Sequence, residues 1–217
     1  MINLMNRALD FIFPPVCGIC GEFADNHLCD KCKDRINLIS KFKINTDEDK
    51  EYIAHFWLFK YEDIRELMLR YKFNECSYLS DTFSEIILNN YEVRKMLKRA
   101  DYIIPVPIHK KRLYERGYNQ CELIAKKLSR EIDNLEYLPN LLYKKKNIIP
   151  QSTLDKEERA SNIKGVFYIK NRNINFKEKT VVLFDDIFTT GSTVKECVKT
   201  MKSLKFKRIY IFTIAKN

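Results

Sequence analysis

Hydrophobic and polar positions along this chain repeat with two different periods, and each change of period marks an element. Val181-Val182-Leu183-Phe184 is a continuous apolar run, the pattern of a strand buried on both faces of a parallel sheet. Two acids, Asp185 and Asp186, cap its carboxyl end, and the short polar loop Thr189-Thr190-Gly191-Ser192-Thr193 follows. From Ser192 onward, Val194, Cys197, Val198, Met201 and Leu204 fall at i, i+3, i+4 spacing, while Lys195, Lys199, Lys202 and Lys205 fall elsewhere. That pattern predicts a helix with one buried face. A last apolar run, Ile209 to Ile214, predicts a closing strand, and the strand–helix–strand order implies a right-handed crossover in a parallel sheet.

Upstream, the aromatic stretch Ala54 to Tyr61 predicts a buried strand in which His55 is a core histidine. Glu62 to Phe73 predicts a helix whose buried face is Ile64, Leu67, Met68 and Tyr71, with Lys72 as a solvated lysine near its end. A second helix is expected over about Tyr78 to Asn90, with Leu79, Phe83, Ile86 and Ile87 inward. Tyr102 to Pro107 predicts a strand whose prolines sit where ladder donors are not needed. It runs into a basic loop from Ile108 to Asn119, in which His109 is exposed. Asn119 then caps a helix with the face Cys121, Ile124, Ala125 and Leu128. Two segments read as loops, Lys43 to Glu51 and the long polar stretch 143–165, with a short helix over Asp155 to Ser161 inside the second. Met1 to Phe13 reads as a short amphipathic helix packed on the body.

Open α/β sheets bind ligands outside the carboxyl ends of their strands, and the amides at a helix start favour a phosphate. Gly191 lets backbone approach a phosphate without a Cβ in the way. Thr189, Thr190, Ser192 and Thr193 add hydroxyl donors. Strand, acidic pair and Thr-Thr-Gly-Ser-Thr loop, in that order, resemble the signature of the type I phosphoribosyltransferases. The resemblance implies that Asp185 and Asp186 accept hydrogen bonds from ribose hydroxyls, directly or through Mg2+ and its waters. It also implies a second anion site for pyrophosphate, for which Lys111, Arg112 and Arg116 are the candidates. Many purine members of that class carry an aspartate acting near the base where Thr189 stands. Thr189 cannot serve as a general base at neutral pH, so the sequence names no proton acceptor for a nucleobase.

A second constellation stands near the start: Cys17-x2-Cys20-x8-Cys29-x2-Cys32. Paired CxxC knuckles place four thiolates around one tetrahedral ion, and four protein ligands leave no open position, so a structural Zn2+ is expected. The rival arrangement is two disulfides; the absence of a secretory pattern favours reduced thiols. Gly18 and Gly21 suit the turns of the first knuckle. His27, inside the spacer, is expected on the surface, and Cys121 and Cys197 are expected as small core residues.

The 217 residues suffice for one substantial core and a small module, expected as residues 1–45 and 46–217. No stretch is long and apolar enough to cross a bilayer, and a cytoplasmic location is expected. The net charge of +10 is unevenly spread: residues 1–93 carry 11 basic and 16 acidic side chains, residues 94–217 carry 28 and 13. The second half attracts polyanions: nucleic acid, pyrophosphate or acidic headgroups.

Together, the four-cysteine finger, Arg116-Gly117-Tyr118-Asn119-Gln120, the segment Gln151…Arg159…Asn162…Gly165…Phe167 and the Asp-Asp…Thr-Thr-Gly-Ser-Thr loop resemble the ComF family of phosphoribosyltransferase-like proteins. Tyr118 stands where phenylalanine is common. The resemblance covers nearly the whole chain. It implies an α/β fold, a type I phosphoribosyltransferase-like parallel sheet flanked by helices, with a small N-terminal zinc finger of four cysteines. It further implies a role in natural competence, handling incoming single-stranded DNA alongside DNA-uptake or recombination proteins. Lys110, Lys111, Arg112, Arg116 and Tyr118 are the nucleic-acid candidates, with Tyr114 a further aromatic among them. The alternative is an active transferase that moves phosphoribose to an acceptor and releases pyrophosphate, with Asp185 and Asp186 positioning the ribose.

Overall fold

The computed structural model describes residues 16–46, 52–73, 76–145, 163–170 and 175–217. The helices expected over Met1 to Phe13 and Asp155 to Ser161 lie outside the described residues. Behind the cysteine knuckles, α1 covers Asp30–Ile39, and the chain enters a sheet through β1, Lys43–Thr46, and β2, Ala54–Lys60. Three helices follow: α2 (Tyr61–Phe73), α3 (Leu79–Asn89) and α4 (Tyr91–Leu97). Next come β3 (Tyr102–Pro105), α5 (Lys110–Arg116), α6 (Gln120–Glu131) and β4 (Glu136–Tyr137). Two short strands, β5 (Leu142–Lys144) and β6 (Phe167–Ile169), pair antiparallel as a separate ribbon. The chain closes with β7 (Thr180–Phe188), α7 (Ser192–Met201), a 3-10 turn over Lys202–Leu204, and β8 (Arg208–Lys216).

The main sheet has the order β1-β2-β8-β7-β3-β4, parallel throughout except for β1. The continuous apolar run in β7 has a direct explanation in the period of two. Val182 and Phe184 join a core with α2, α3, α4 and α6, while Val181 and Leu183 join a core with α7 and the β5–β6 ribbon. In β8, Phe212 and Ile214 join the first core and Ile211 the second.

This layering creates a candidate crevice. β3 and β7 are neighbours in parallel register, Tyr102 opposite Val181 and Pro105 opposite Phe184. Beyond β3 and the short surface helix α5, α6 packs in the first core, and the helix after β7, α7, packs in the second. Two adjacent strands whose helices leave to opposite faces open a gap at their carboxyl ends, and ligands of open α/β sheets bind there.

Several expectations require correction. The acids are inside β7 rather than beyond it: Asp185 pairs with Thr213, and the ladder runs on to Phe188 opposite Lys216. Lys43 to Thr46, expected as loop, pairs antiparallel with Ala54 to Trp57, because an unpaired edge of β2 accepts a short partner despite its polar side chains. The basic loop is a helix over most of its length. His109 caps it, half-buried rather than exposed, its Nδ1 accepting from the Lys111 amide at 3.1 Å. The polar stretch from 143 begins as strand, since Tyr143 stacks on Tyr168 and Lys144 lies over Phe167. Helix α4, not expected from the sequence, starts at an Asn90 cap whose side chain accepts from the Val93 amide.

The finger shares the first core rather than hanging from it: Cys17, Leu28, Cys32 and Ile36 pack with α2 and α3. At Gly18 a Cβ would stand 2.1 Å from the Thr82 hydroxyl, so glycine permits the knuckle to dock on α3. Thr82 Oγ1 donates to the His27 carbonyl (3.1 Å) and Arg70 of α2 donates to the Ile19 carbonyl (3.2 Å).

Candidate ribose-phosphate site and zinc centre

Everything at the crevice is organised around the acidic pair. Asp185 Oδ1 accepts from the Asp186 amide (2.9 Å) and faces the Cys121 thiol at 3.6 Å. Burial, and the neighbouring Asp186 charge, push the Asp185 carboxyl up to about 7. Asp186 Oδ2 pairs with Lys72 Nζ at 2.8 Å, both side chains largely enclosed. Lys72 was expected as a solvated lysine; α2 ends at the crevice and delivers it to the acid instead. Burial, then the charge of Arg112, pulls Lys144 below its ordinary range, with Asp185 acting the other way. Arg116 is lowered by the same two causes, and Asp186 opposes them. Lys72, Arg116 and Lys144, from α2, α5 and β5, thus feel the charge of the carboxylates, and Arg112 stands near the last two.

The loop after β7 is held by packing. Gly191 has φ 76°, and a Cβ there would meet the Phe188 ring at 2.5 Å. Phe188 in turn stacks on His55 with ring centroids 4.1 Å apart. His55 is a core histidine as expected, buried and bonded to Thr213 Oγ1 at 2.8 Å; burial and Lys216 hold it down to about 3, so it is neutral. Thr190 and Ser192 hydroxyls lie 2.9 Å apart across the turn. Gly191 is the N-cap of α7 and offers no side-chain acceptor to the first-turn amides. Gly191→Ala is expected to destabilise the chain by about 1–3 kcal/mol through strain and the Phe188 clash, with zinc content unchanged. Thermal denaturation with a metal assay checks this; a loss under about 0.5 kcal/mol would show that the loop yields.

In the finger, the Sγ atoms of Cys17, Cys20, Cys29 and Cys32 all lie within 4.8 Å of one another, Cys20 and Cys29 at 3.7 Å. Tetrahedral zinc with sulfur at about 2.3 Å requires sulfurs about 3.8 Å apart, so the donor set fits Zn2+. Burial raises Cys17, but the amides of Cys20, Cys29 and Ile19 outweigh it and bring the thiol down to about 6. Cys32 is raised by burial and by its three sulfur neighbours, the crowding that a cation relieves. His27 is on the surface, 3.9 Å from Asp81.

Comparison with known proteins matches both halves. Residues 8–42 match the double zinc ribbon domain, and residues 119–217 the phosphoribosyl transferase domain. Competence protein F of Haemophilus influenzae is 29% identical over 208 residues, 93% of this chain and 85% of its own length. Competence protein ComFC of Bacillus subtilis is 28% identical, covering 82% of this chain and 68% of the relative. DNA utilization protein YhgH of Escherichia coli O157:H7 is 29% identical over 60% of this chain, which spans 57% of that relative's length. These matches support a ComF-family, phosphoribosyltransferase-like protein. Its fold is the type I phosphoribosyltransferase arrangement with an N-terminal structural zinc centre.

In this chain, the residues singled out from sequence do not all converge. Asp185, Asp186, Arg112 and Arg116 share one electrostatic neighbourhood. Thr189, Thr190 and Gly191 form the turn between β7 and α7, and Ser192 and Thr193 open the helix. Lys111 is turned toward Glu115 on the exposed side of α5 (4.0 Å), and Lys110 is exposed. Tyr118 points inward: its hydroxyl donates to the Tyr71 carbonyl at 2.6 Å and its ring lies against Tyr71. Sequence reasoning missed Lys72, Lys144 and Cys121 as neighbours of the acids. Nothing local marks them, since three different elements bring them in. A separate cavity of about 230 Å³, beside Tyr52, Lys205, Phe206 and Arg208, lies at the amino end of β8, opposite the acidic pair.

Proposed function

We propose that the crevice between β3 and β7 binds phosphoribosyl pyrophosphate or a nucleotide with Mg2+. We further propose that the protein handles single-stranded DNA in natural transformation, in the cytoplasm. The observation that carries the pocket reading is the enclosed Lys72–Asp186 pair beside Asp185, next to a glycine-bearing turn at a helix start, with Arg116 and Lys144 drawn by the charge of the acids. Carboxylates accept from ribose hydroxyls, the amides and hydroxyls of Thr189 to Thr193 favour a terminal phosphate, and the cations favour a pyrophosphate. Asp185 and Asp186 would hold the Mg2+, directly or through its waters, and the ion would neutralise phosphate oxygens. Residues 1–45 then serve as a metal-stabilised module and 46–217 carry the pocket.

Support for the nucleic-acid role comes from relatives named for competence and DNA utilization, and from the excess of basic residues after position 93. The test is titration of the zinc-loaded full chain with labelled oligothymidylate across a salt series. Each phosphate neutralised adds about 0.7 to the slope of log affinity against log salt. Affinity should fall steeply with salt, and the Arg112→Gln, Arg116→Gln variant should lose more than about 1 unit of slope. Salt-independent affinity, or no binding near physiological ionic strength, would count against the DNA role.

A further inference from the structure

Phe73, the last residue of α2, is 65% exposed although it is large and apolar. The Arg116 guanidinium lies over its ring, 5.0 Å from the centroid. Its chain neighbour Lys72 is paired to Asp186, and Arg116 over the ring feels the same Asp186 charge, so the ring stands near the acidic pair. Arg112 precedes Arg116 by one helical turn on the same side of α5, and its charge bears directly on Arg116. An exposed aromatic ring beside two guanidinium groups, at the mouth of a ribose-phosphate site, has the make-up of a base-stacking platform: a sequence-tolerant π surface with cations for the adjoining phosphates.

We propose that Phe73 and Arg116 form the platform on which a base of single-stranded DNA stacks as the strand crosses the mouth of the Asp185–Asp186 crevice. This rests on the DNA-handling role proposed above and gives it a location. It also separates the aromatics of this region by function. Tyr118 is committed to the interior through Tyr71. Tyr114 is 92% exposed but lies two residues before Arg116 on α5, about 200° around the helix, and so faces away from the platform. Among the described aromatics, Phe73 is the one with the Arg116 guanidinium over its ring.

The experiment uses the zinc-loaded full chain, oligothymidylate as the probe, and phosphoribosyl pyrophosphate with Mg2+ as the pocket control. Phe73→Ala should weaken oligothymidylate binding about tenfold, the size of one lost base–aromatic stack. The slope with salt should stay unchanged, because no charge is removed. Phe73→Trp should restore affinity, and its fluorescence should be quenched on binding; the chain has one other tryptophan, Trp57. Tyr114→Ala should stay within about twofold of wild type, a change too small for a lost stack. Wild-type affinity in Phe73→Ala would overturn the proposal. So would an equal loss in Tyr114→Ala, or a proportional loss of phosphoribosyl pyrophosphate binding in Phe73→Ala, which would make the ring a wall of the pocket. A wild type that binds no oligothymidylate would remove the DNA role itself, whereas binding that ignores Phe73 removes only the platform.

Discussion

Cys32→Ser is expected to release the metal and lower stability by at least about 3 kcal/mol, since zinc binding in isolated finger peptides is worth about 10–16 kcal/mol. For a chain of this size that is a fall in Tm of roughly 6–12 °C. The effect should reach past the finger, because Cys32 is buried in the same core as Ile36, Met68 and Phe83. Loss of the knuckle also removes the Ile19 carbonyl that Arg70 holds, and Arg70 is two residues from Lys72 on α2. Metal content by mass spectrometry, with calorimetric unfolding, reads both consequences. Cys76→Ser, outside the four-sulfur cluster, should keep its zinc. Full zinc occupancy in Cys32→Ser, or an unchanged Tm, would show that the centre is not what binds finger to body.

Asp185→Asn is expected to act in the opposite direction on the ligand-free chain, stabilising it at pH 8 by on the order of 2 kcal/mol. In the folded chain burial and Asp186 keep the carboxyl protonated up to about pH 7. In the unfolded chain it releases its proton near an ordinary value of about 3.9. The folded state therefore binds more protons between those values. The resulting stabilisation is complete below about pH 4 and is lost as pH rises through about 7. Asparagine retains the oxygen that accepts from the Asp186 amide and faces the Cys121 thiol, but carries no charge to bury. Wild type and variant should thus melt together near pH 4 and diverge toward pH 8 in Mg2+-free buffer. Equal melting at pH 8 would mean that Lys72 compensates both carboxylates. Lys72→Met should be destabilising at pH 8 and be rescued by Asp186→Asn, as expected when one partner of an enclosed pair is removed.

How far the sequence carried this account depends on the range of the interaction involved. The core strands, the buried helical faces and the four-cysteine centre follow from local period and spacing, and the Asn119 cap from one residue type, whose side chain accepts from the Cys121 amide. The motif of acids, turn and helix start was legible because one continuous segment supplies all of it. What escaped was assembled across the chain. Lys72 meets Asp186 over more than a hundred residues, and Lys144 reaches the same field from a ribbon strand that reads as polar loop. The basic segment after β3 read as loop because its lysines and arginines hide the helical pattern, which a cap at His109 and solvated charges sustain. Tyr118 looked like a surface aromatic among cations; its hydroxyl found a buried carbonyl on α2, which only the tertiary packing reveals.

The most direct test of the pocket is calorimetric titration of phosphoribosyl pyrophosphate with Mg2+ into zinc-loaded wild type and into the Asp185→Asn, Asp186→Asn variant. The expected result is saturable, Mg2+-dependent binding by wild type that the folded variant loses. No heat of binding from a folded wild type, or equal binding by both proteins, would contradict the assignment of the acidic pair to a ribose-phosphate ligand.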